Sequence, residues 1–347
     1  MNTPNRRTRG WVRTTSLSLA CLGLFAVTAC AGTSANESDG GAGESVVLMA
    51  GHVLAESEPH HQIMLDVAEA VKDKTEGRVT IEIFPASQLG AEDEVFEQAH
   101  LGNEVIAWGG GDQVAEYAVP DFRVLLAPYL FENPLEDVQA FTQSDMYDGW
   151  VTEAADQANL RVLAMNWYFG DRHIISNEEY ADPSQLENVK VRVPPSPVFT
   201  KSFEALGASP VTLDWAEVYT GLSQGVVDAA EAPLSTIYNS KLFEVADTVT
   251  MSGHINSTVG WTMSEEIFAS LSKADQDVLL EEFRHGGELA RDAFVEQEDD
   301  FREKLEDEGV TIVEADVPAY KQATEPFYEQ FPDWSDDLAA QVRESVK

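Results

Sequence analysis

Cysteine is nearly absent from this chain. Its 347 residues hold two, Cys21 and Cys30, and both fall within the N-terminal segment that ends at residue 30. The body beyond residue 30 therefore has no disulfide and no thiol chemistry to draw on. Cations are scarce too: 22 Lys and Arg stand against 61 Asp and Glu, a formal net charge of −39. So acidic a chain repels polyphosphate, which argues against nucleic-acid and anionic-membrane partners. The apolar stretch from Leu17 to Val27 is too short to span a bilayer. The patterns Gly-x-Ser-x-Gly, His-Glu-x-x-His and Gly-x-Gly-x-x-Gly do not occur, which weighs against the enzyme classes that carry them.

What is present begins with an export signal. Arg6, Arg7, Arg9 and Arg13 form a basic leader ahead of the apolar stretch. Val27-Thr28-Ala29-Cys30 resembles the lipobox of bacterial lipoproteins, in which the cysteine becomes the lipidated first residue. Residues 1–29 are expected to be cleaved, leaving an extracytoplasmic protein anchored to the cell membrane through Cys30. Residues 30–44 are rich in Gly and Ser without apolar period and are expected to form a flexible tether. The roughly 300 residues that remain suit two domains.

Along the body, Val46 to Ala50 reads as a strand, Pro59 to Lys74 as a helix and Val79 to Phe84 as a strand. Glu92 to Leu101 reads as a helix and Val105 to Trp108 as a strand. This alternation predicts a mainly parallel sheet, with His52 and Trp108 at the strand ends where such sheets bind ligands. A second cycle places strands at Leu160 to Met165, His173 to Ser176, Val189 to Val193 and Gly225 to Ala229. Its helices are Val198 to Leu206 and Trp215 to Gln224. Ser272 with Asp275 forms a capping pair for a helix running to Glu308, roughly 50 Å long at 1.5 Å per residue. Gly286-Gly287 is a place where it could kink. Two such α/β units make a two-lobed α/β protein.

With cations so rare, two arginines stand out. Arg172 lies in Gly-Asp-Arg-His, and Arg192 ends a short apolar strand before Pro194-Pro195. A guanidinium is a planar fork matched to a carboxylate or phosphate. Spacing alone leaves two readings open: the pair holds an organic anion, or each arginine makes an ordinary ion pair with the abundant carboxylates. Trp108 and Trp215 are candidates either for ligand stacking or for the core. Gly109-Gly110-Gly111 is either an anion nest or a tight turn. His60 and His61 are adjacent on a helix and point apart, so no metal site and no cofactor are expected.

Several segments together resemble one family. They are Ile83-Phe84-Pro85-Ala86-Ser87-Gln88-Leu89-Gly90, Ala127-Pro128-Tyr129-Leu130-Phe131, Lys190-Val191-Arg192-Val193-Pro194 and Leu206-Gly207-Ala208-Ser209-Pro210. Glu217-Val218-Tyr219-Thr220-Gly221-Leu222, Gln224-Gly225-Val226-Val227-Asp228 and Lys241-Leu242-Phe243-Glu244-Val245 complete the series. It is similar to the DctP-type substrate-binding proteins of tripartite ATP-independent periplasmic (TRAP) transporters. The resemblance implies a periplasmic-binding-protein-like fold: two lobes joined by hinge strands, with a long lobe-spanning helix. It implies lobe I at 45–169 and 258–297, and lobe II at 170–257 and 298–347 with the C-terminal helices. It further implies a monomer, not an enzyme, that binds an organic acid and delivers it to a permease of a small and a large subunit. Arg192 takes the position that salt-bridges the carboxylate, with Arg172 and Trp215 beside it and His52, Glu92 and Trp108 facing from the first lobe. The family often reads Asp-Gly-Gln-Glu-Asn-Pro where this chain has Asp228 to Pro233, so Ala232 replaces an asparagine expected in the site. The rival classes are an exported enzyme acting on acidic sugars and a ligand-sensing receptor for a membrane kinase.

Overall fold

The computed structural model describes residues 45–347; the signal segment, Cys30 and the tether lie outside the described residues. The strands are β1 (Val46–Gly51), β2 (Val79–Phe84), β3 (Val105–Gly109), β4 (Leu160–Asp171), β5 (His173–Ser176) and β6 (Lys190–Val193). They continue as β7 (Ser209–Thr212), β8 (Ala229–Ala232), β9 (Thr248–Met251), β10 (Asn256–Ser264) and β11 (Thr311–Glu314). The helices in the first half are α1 (Pro59–Lys74), α2 (Glu92–His100), α3 (Gly111–Ala115), α4 (Pro134–Phe141) and α5 (Asp145–Ala158). Then come α6 (Pro197–Ala205), α7 (Val218–Ser223), α8 (Leu234–Asn239), α9 (Glu265–Ser270), α10 (Lys273–Asp307), α11 (Val317–Thr324) and α12 (Leu338–Ser345).

Two sheets result, ordered β2-β1-β3-β10-β4 and β11-β9-β5-β8-β6-β7. The apolar spacing of α1 buries Ile63, Met64, Val67 and Val71 against the first sheet, and Pro59 sits in its first turn, where a missing N–H costs nothing. The first sheet is parallel only across β2-β1-β3; β10 runs antiparallel to both β3 and β4. The expectation of a mainly parallel sheet missed this because β10 arrives from the other sheet, a return that no local pattern near residues 46–108 records. Two further boundaries differ. Gly225, at φ 67°, ends the preceding helix in a turn, so the strand is β8 at 229–232 rather than 225–229. Trp215–Glu217 is a single 3₁₀ turn ahead of α7.

The sheets are joined by chain crossings. β4 passes through Arg172 into β5, and β9 passes through residues 252–255 into β10. The crossings are tied where the Arg172 N–H donates to the Ile255 carbonyl at 2.9 Å. α10 packs on α1 and β4 toward its start and on α8 and β11 toward its end. Ser272 caps it by accepting from the Asp275 N–H at 3.2 Å, and Gly309, at φ 92°, follows its last turn. Gly286 and Gly287 do not break the helix; they let it lie on β4. A Cβ on Gly286 would come 2.4 Å from Trp167, and one on Gly287 2.2 Å from Asn166. Both neighbours instead bond the helix backbone, Trp167 Nε1 to the Phe283 carbonyl and Asn166 Nδ2 to the Arg284 carbonyl. After residue 298, α11 packs on α6, whereas α12 packs on α4 and the 3₁₀ helix Pro120–Leu126, beside the first sheet.

Candidate ligand-binding site

A cavity of about 360 Å³ lies between the sheets, lined from both sides. On the second-sheet side, strand alternation sends Val191 and Val193 of β6 into the core and Arg192 the other way. Arg192 is 2% exposed, and its Nε and Nη2 both donate to the Leu213 carbonyl, at 2.9 and 2.7 Å. Its guanidinium lies 5.2 Å from the Trp215 ring centre, which fixes the plane of the fork. Nη1 stands 3.9 Å from Glu231 Oε1. Burial pulls the Arg192 pKa down to about 10, with Glu231 opposing and Arg172 assisting, so it remains a cation at neutral pH.

Arg172 grips the Glu231 carboxylate from Nε and Nη2, the latter at 2.8 Å from Oε1, and lies 4.9 Å over the Phe199 ring. Of the two readings left open by spacing, the ion pair holds for Arg172; both arginines nonetheless line the cavity. Glu231 is fully buried. Burial acts to raise its pKa, but Arg172 and then His254 outweigh it, so the carboxyl titrates below its ordinary range. His254 Nε2 is 3.6 Å from Glu231 Oε2, and its Nδ1 is 2.8 Å from Ser252 Oγ. Burial holds the His254 pKa below its ordinary value, which favours neutral imidazole. Counting only the buried groups, two guanidinium groups against the Glu231 carboxylate leave this corner with one net positive charge; the exposed Asp214 carboxylate, also in the cavity lining, acts on Arg192 from the solvent side.

The opposite wall is acidic. Glu92 opens α2, half-buried, and Asp112 sits in α3, 4% exposed. Gln113 links Glu92 to the backbone, donating to its carboxylate at 3.4 Å while accepting from the Gly110 N–H at 2.8 Å. Burial raises the Glu92 carboxyl to about 7, with Asp112 adding and the two arginines opposing. Burial also raises Asp112. The glycine run serves close packing: a Cβ on Gly111 would fall 2.2 Å from the Phe122 carbonyl. Trp108 is 2% exposed, packed edge-on against Trp167, Trp261 and Phe169, and reaches the cavity wall from that cluster.

Five of the residues singled out in the sequence thus meet in one cavity: Arg172, Arg192, Trp215, Glu92 and Trp108. Two do not. His52 is turned away, its Nε2 3.0 Å from His61 Nδ1 and its Nδ1 accepting from the Leu54 N–H. Ala232 is fully buried among Ile175, Val218, Leu234 and Ile237. The reason is the two-residue period of β8: Ala230 and Ala232 share one face, and Glu231 takes the other. Sequence reasoning therefore passed over Glu231, although it stands beside Ala232 in the quoted motif. It also passed over Asp112, Phe169 and Phe199, which carry no local signal. Among the described residues, no cluster of His, Cys, Asp and Glu could hold a metal ion.

Residues 50–333 match the family described as bacterial extracellular solute-binding protein, family 7, DctP. A solute-binding protein of Roseobacter denitrificans is 30% identical over 301 residues, covering 87% of this chain and 90% of that one. The solved structure of a TRAP solute-binding protein from that organism, with bound L-galactonate, matches at a TM-score of 0.79 and 27% identity, covering 88% of this chain and 100% of that one. Another, from Actinobacillus succinogenes and also with L-galactonate, matches at 0.83 and 28%, covering 87% and 99%. One from Escherichia fergusonii, described as apo and open, matches at 0.74 and 28%, covering 86% and 98%.

Proposed function

We propose that this chain, which belongs to the DctP family of bacterial extracellular solute-binding proteins, binds a hydroxylated monocarboxylate of the sugar-acid class between its lobes. As a family member it is a transport receptor that works with a TRAP permease outside the cytoplasm. The observation that carries the ligand class is the polarity of the cavity. One corner holds a single net positive charge on a planar fork, suited to one carboxylate. The opposite wall holds Glu92 and Asp112, whose raised pKa values suit them to exchange hydrogen bonds with hydroxyls. Trp215, Phe169 and Phe199 supply the apolar surface on which the C–H faces of such a chain can lie. Relatives crystallised with L-galactonate and L-fuconate carry ligands of that description. The ligand is released unchanged, and the receptor works as a monomer. Residues 45–169 with 258–297 move as one lobe and 170–257 with 298 onward as the other, with the last helix bearing on the first.

A thermal-shift panel tests the ligand class. Aldonates at about 100 times their Kd should stabilise the protein by about 2.7 kcal/mol, whereas the matching neutral aldoses should leave the midpoint unmoved. Equal shifts from acid and aldose would remove the arginine corner from the account, and recovery of an altered ligand would make the protein an enzyme.

The anchor belongs to the same proposal. Cys30→Ala is expected to leave the protein unprocessed or release it to the medium, as read by fractionation and gel mobility. A mutant that stays in the membrane with wild-type mobility would refute lipidation at Cys30.

A further inference from the structure

Glu58 lies where the two halves meet, apart from the residues that line the cavity. It immediately precedes α1 on the first-sheet side and is fully buried against α8 of the second. α8 itself is cavity wall, since Thr236 and the preceding Pro233 both line it. The Glu58 carboxyl faces the hydroxyls of Ser235 and Thr236 and the amide of Asn239. Both of its oxygens face Thr236 Oγ1 and Asn239 Nδ2 across the seam, close enough for these donors to pull against the effect of burial but without a well-aligned hydrogen bond. Four polar atoms from two lobes thus face one another, sealed from water.

No counter-charge compensates. On α1, His60 Nε2 bonds the Tyr168 carbonyl and His61 Nδ1 bonds His52. On α8 the remaining titratable group is Tyr238, stacked on Phe243. On α10, which packs on α8, Glu298 stands by His173 and Lys304 lies over Tyr238 and Phe301. An ionised carboxylate in such a seat is costly, whereas a neutral one can donate one hydrogen bond and accept others.

We propose that Glu58 is a latch between the lobes, entering the closed form as a neutral acid that bonds across to Thr236 and Asn239 and returning to water as a carboxylate when the lobes part. Closure then takes up one proton, and ligand affinity falls as pH rises. This rests on the reading of the lobes as a pair that closes on ligand. Burial pushes the Glu58 carboxyl from 4.5 to about 7. The raised group favours the closed form fully below its open-state value and loses that effect as pH climbs through its closed-state value. Across pH 6 to 8 this amounts to about a tenfold loss of affinity from Glu58 alone.

The test is calorimetry of L-galactonate with the full-length protein and with Glu58→Gln, from pH 6 to 8, in buffers of different ionisation heat. Glu92 titrates in both proteins, so only the difference between the profiles counts. The glutamine variant should bind more tightly than wild type at pH 8, lose the tenfold step and take up close to one proton fewer per ligand at pH 6. Asn239→Asp, which sets a second carboxylate opposite, should steepen the wild-type profile, and it serves if the first variant fails to fold. Parallel profiles in wild type and both variants, with equal proton uptake, would overturn the latch while leaving the ligand proposal intact. Absence of binding in wild type at every pH would instead defeat the ligand proposal.

Discussion

Arg192→Ala is expected to abolish measurable sugar-acid binding in calorimetry while the protein stays folded. The guanidinium is the one cation in the cavity not already gripped bidentately by a carboxylate. Removing one partner of a buried ion pair costs about 3–5 kcal/mol, or two to nearly four decades in Kd. Arg192→Lys should bind poorly as well. Two of the arginine's nitrogens are held by the Leu213 carbonyl while Nη1 remains for the cavity, and a single ammonium cannot do both. Arg172→Ala should lose less affinity but more stability, because it strips Glu231 of its main partner. Near-native affinity in Arg192→Ala would mean that the anion sits elsewhere.

The second large effect has opposite signs in two measurements. Glu231→Gln leaves Arg172, Arg192 and His254 around a neutral amide in a fully buried position. The ligand-free protein should unfold roughly 6–10 °C lower, taking 3–5 kcal/mol for a broken buried pair and about 2 °C per kcal/mol for a chain of this size. The same change raises the net charge of the corner, so an added sugar acid should raise the melting temperature of the variant by more than that of wild type. Because the folded pKa of Glu231 is held below its unfolded value of 4.5, its contribution is whole at neutral pH and is lost as pH falls through the folded value. The variant should lack that acid-side loss. An unchanged midpoint without ligand would show that Glu231 is not the counter-ion.

Most of the local architecture was legible because it depends on short-range patterns. The apolar period and Pro59 place α1 to the residue, Ser272 and Gly309 bound α10, and alternation around Arg192 gives β6 its inward and outward faces. The double glycine in α10 was legible as a special position but not as what it is. Its purpose depends on Trp167 and Asn166, more than a hundred residues earlier. The antiparallel half of the first sheet was hidden for the same reason, since β10 pairs with a strand far earlier in the chain, Gly260 opposite Gly109.

The site divides along the same line. Composition by itself singled out the two rare arginines and left open whether they hold an organic anion or make ordinary ion pairs. The ordered series of motifs gave the resemblance to a family, and that resemblance, not periodicity, set Trp215 beside Arg192. Only the tertiary structure decided that Arg172 spends its fork on Glu231, that Ala232 faces the core and that His52 turns to His61. It also decided that Glu58 is sealed against a helix of the other lobe. Each of these is a choice of partner between residues distant in sequence. Burial then sets how strongly their charges act, and burial is a property of the assembled lobes rather than of any segment.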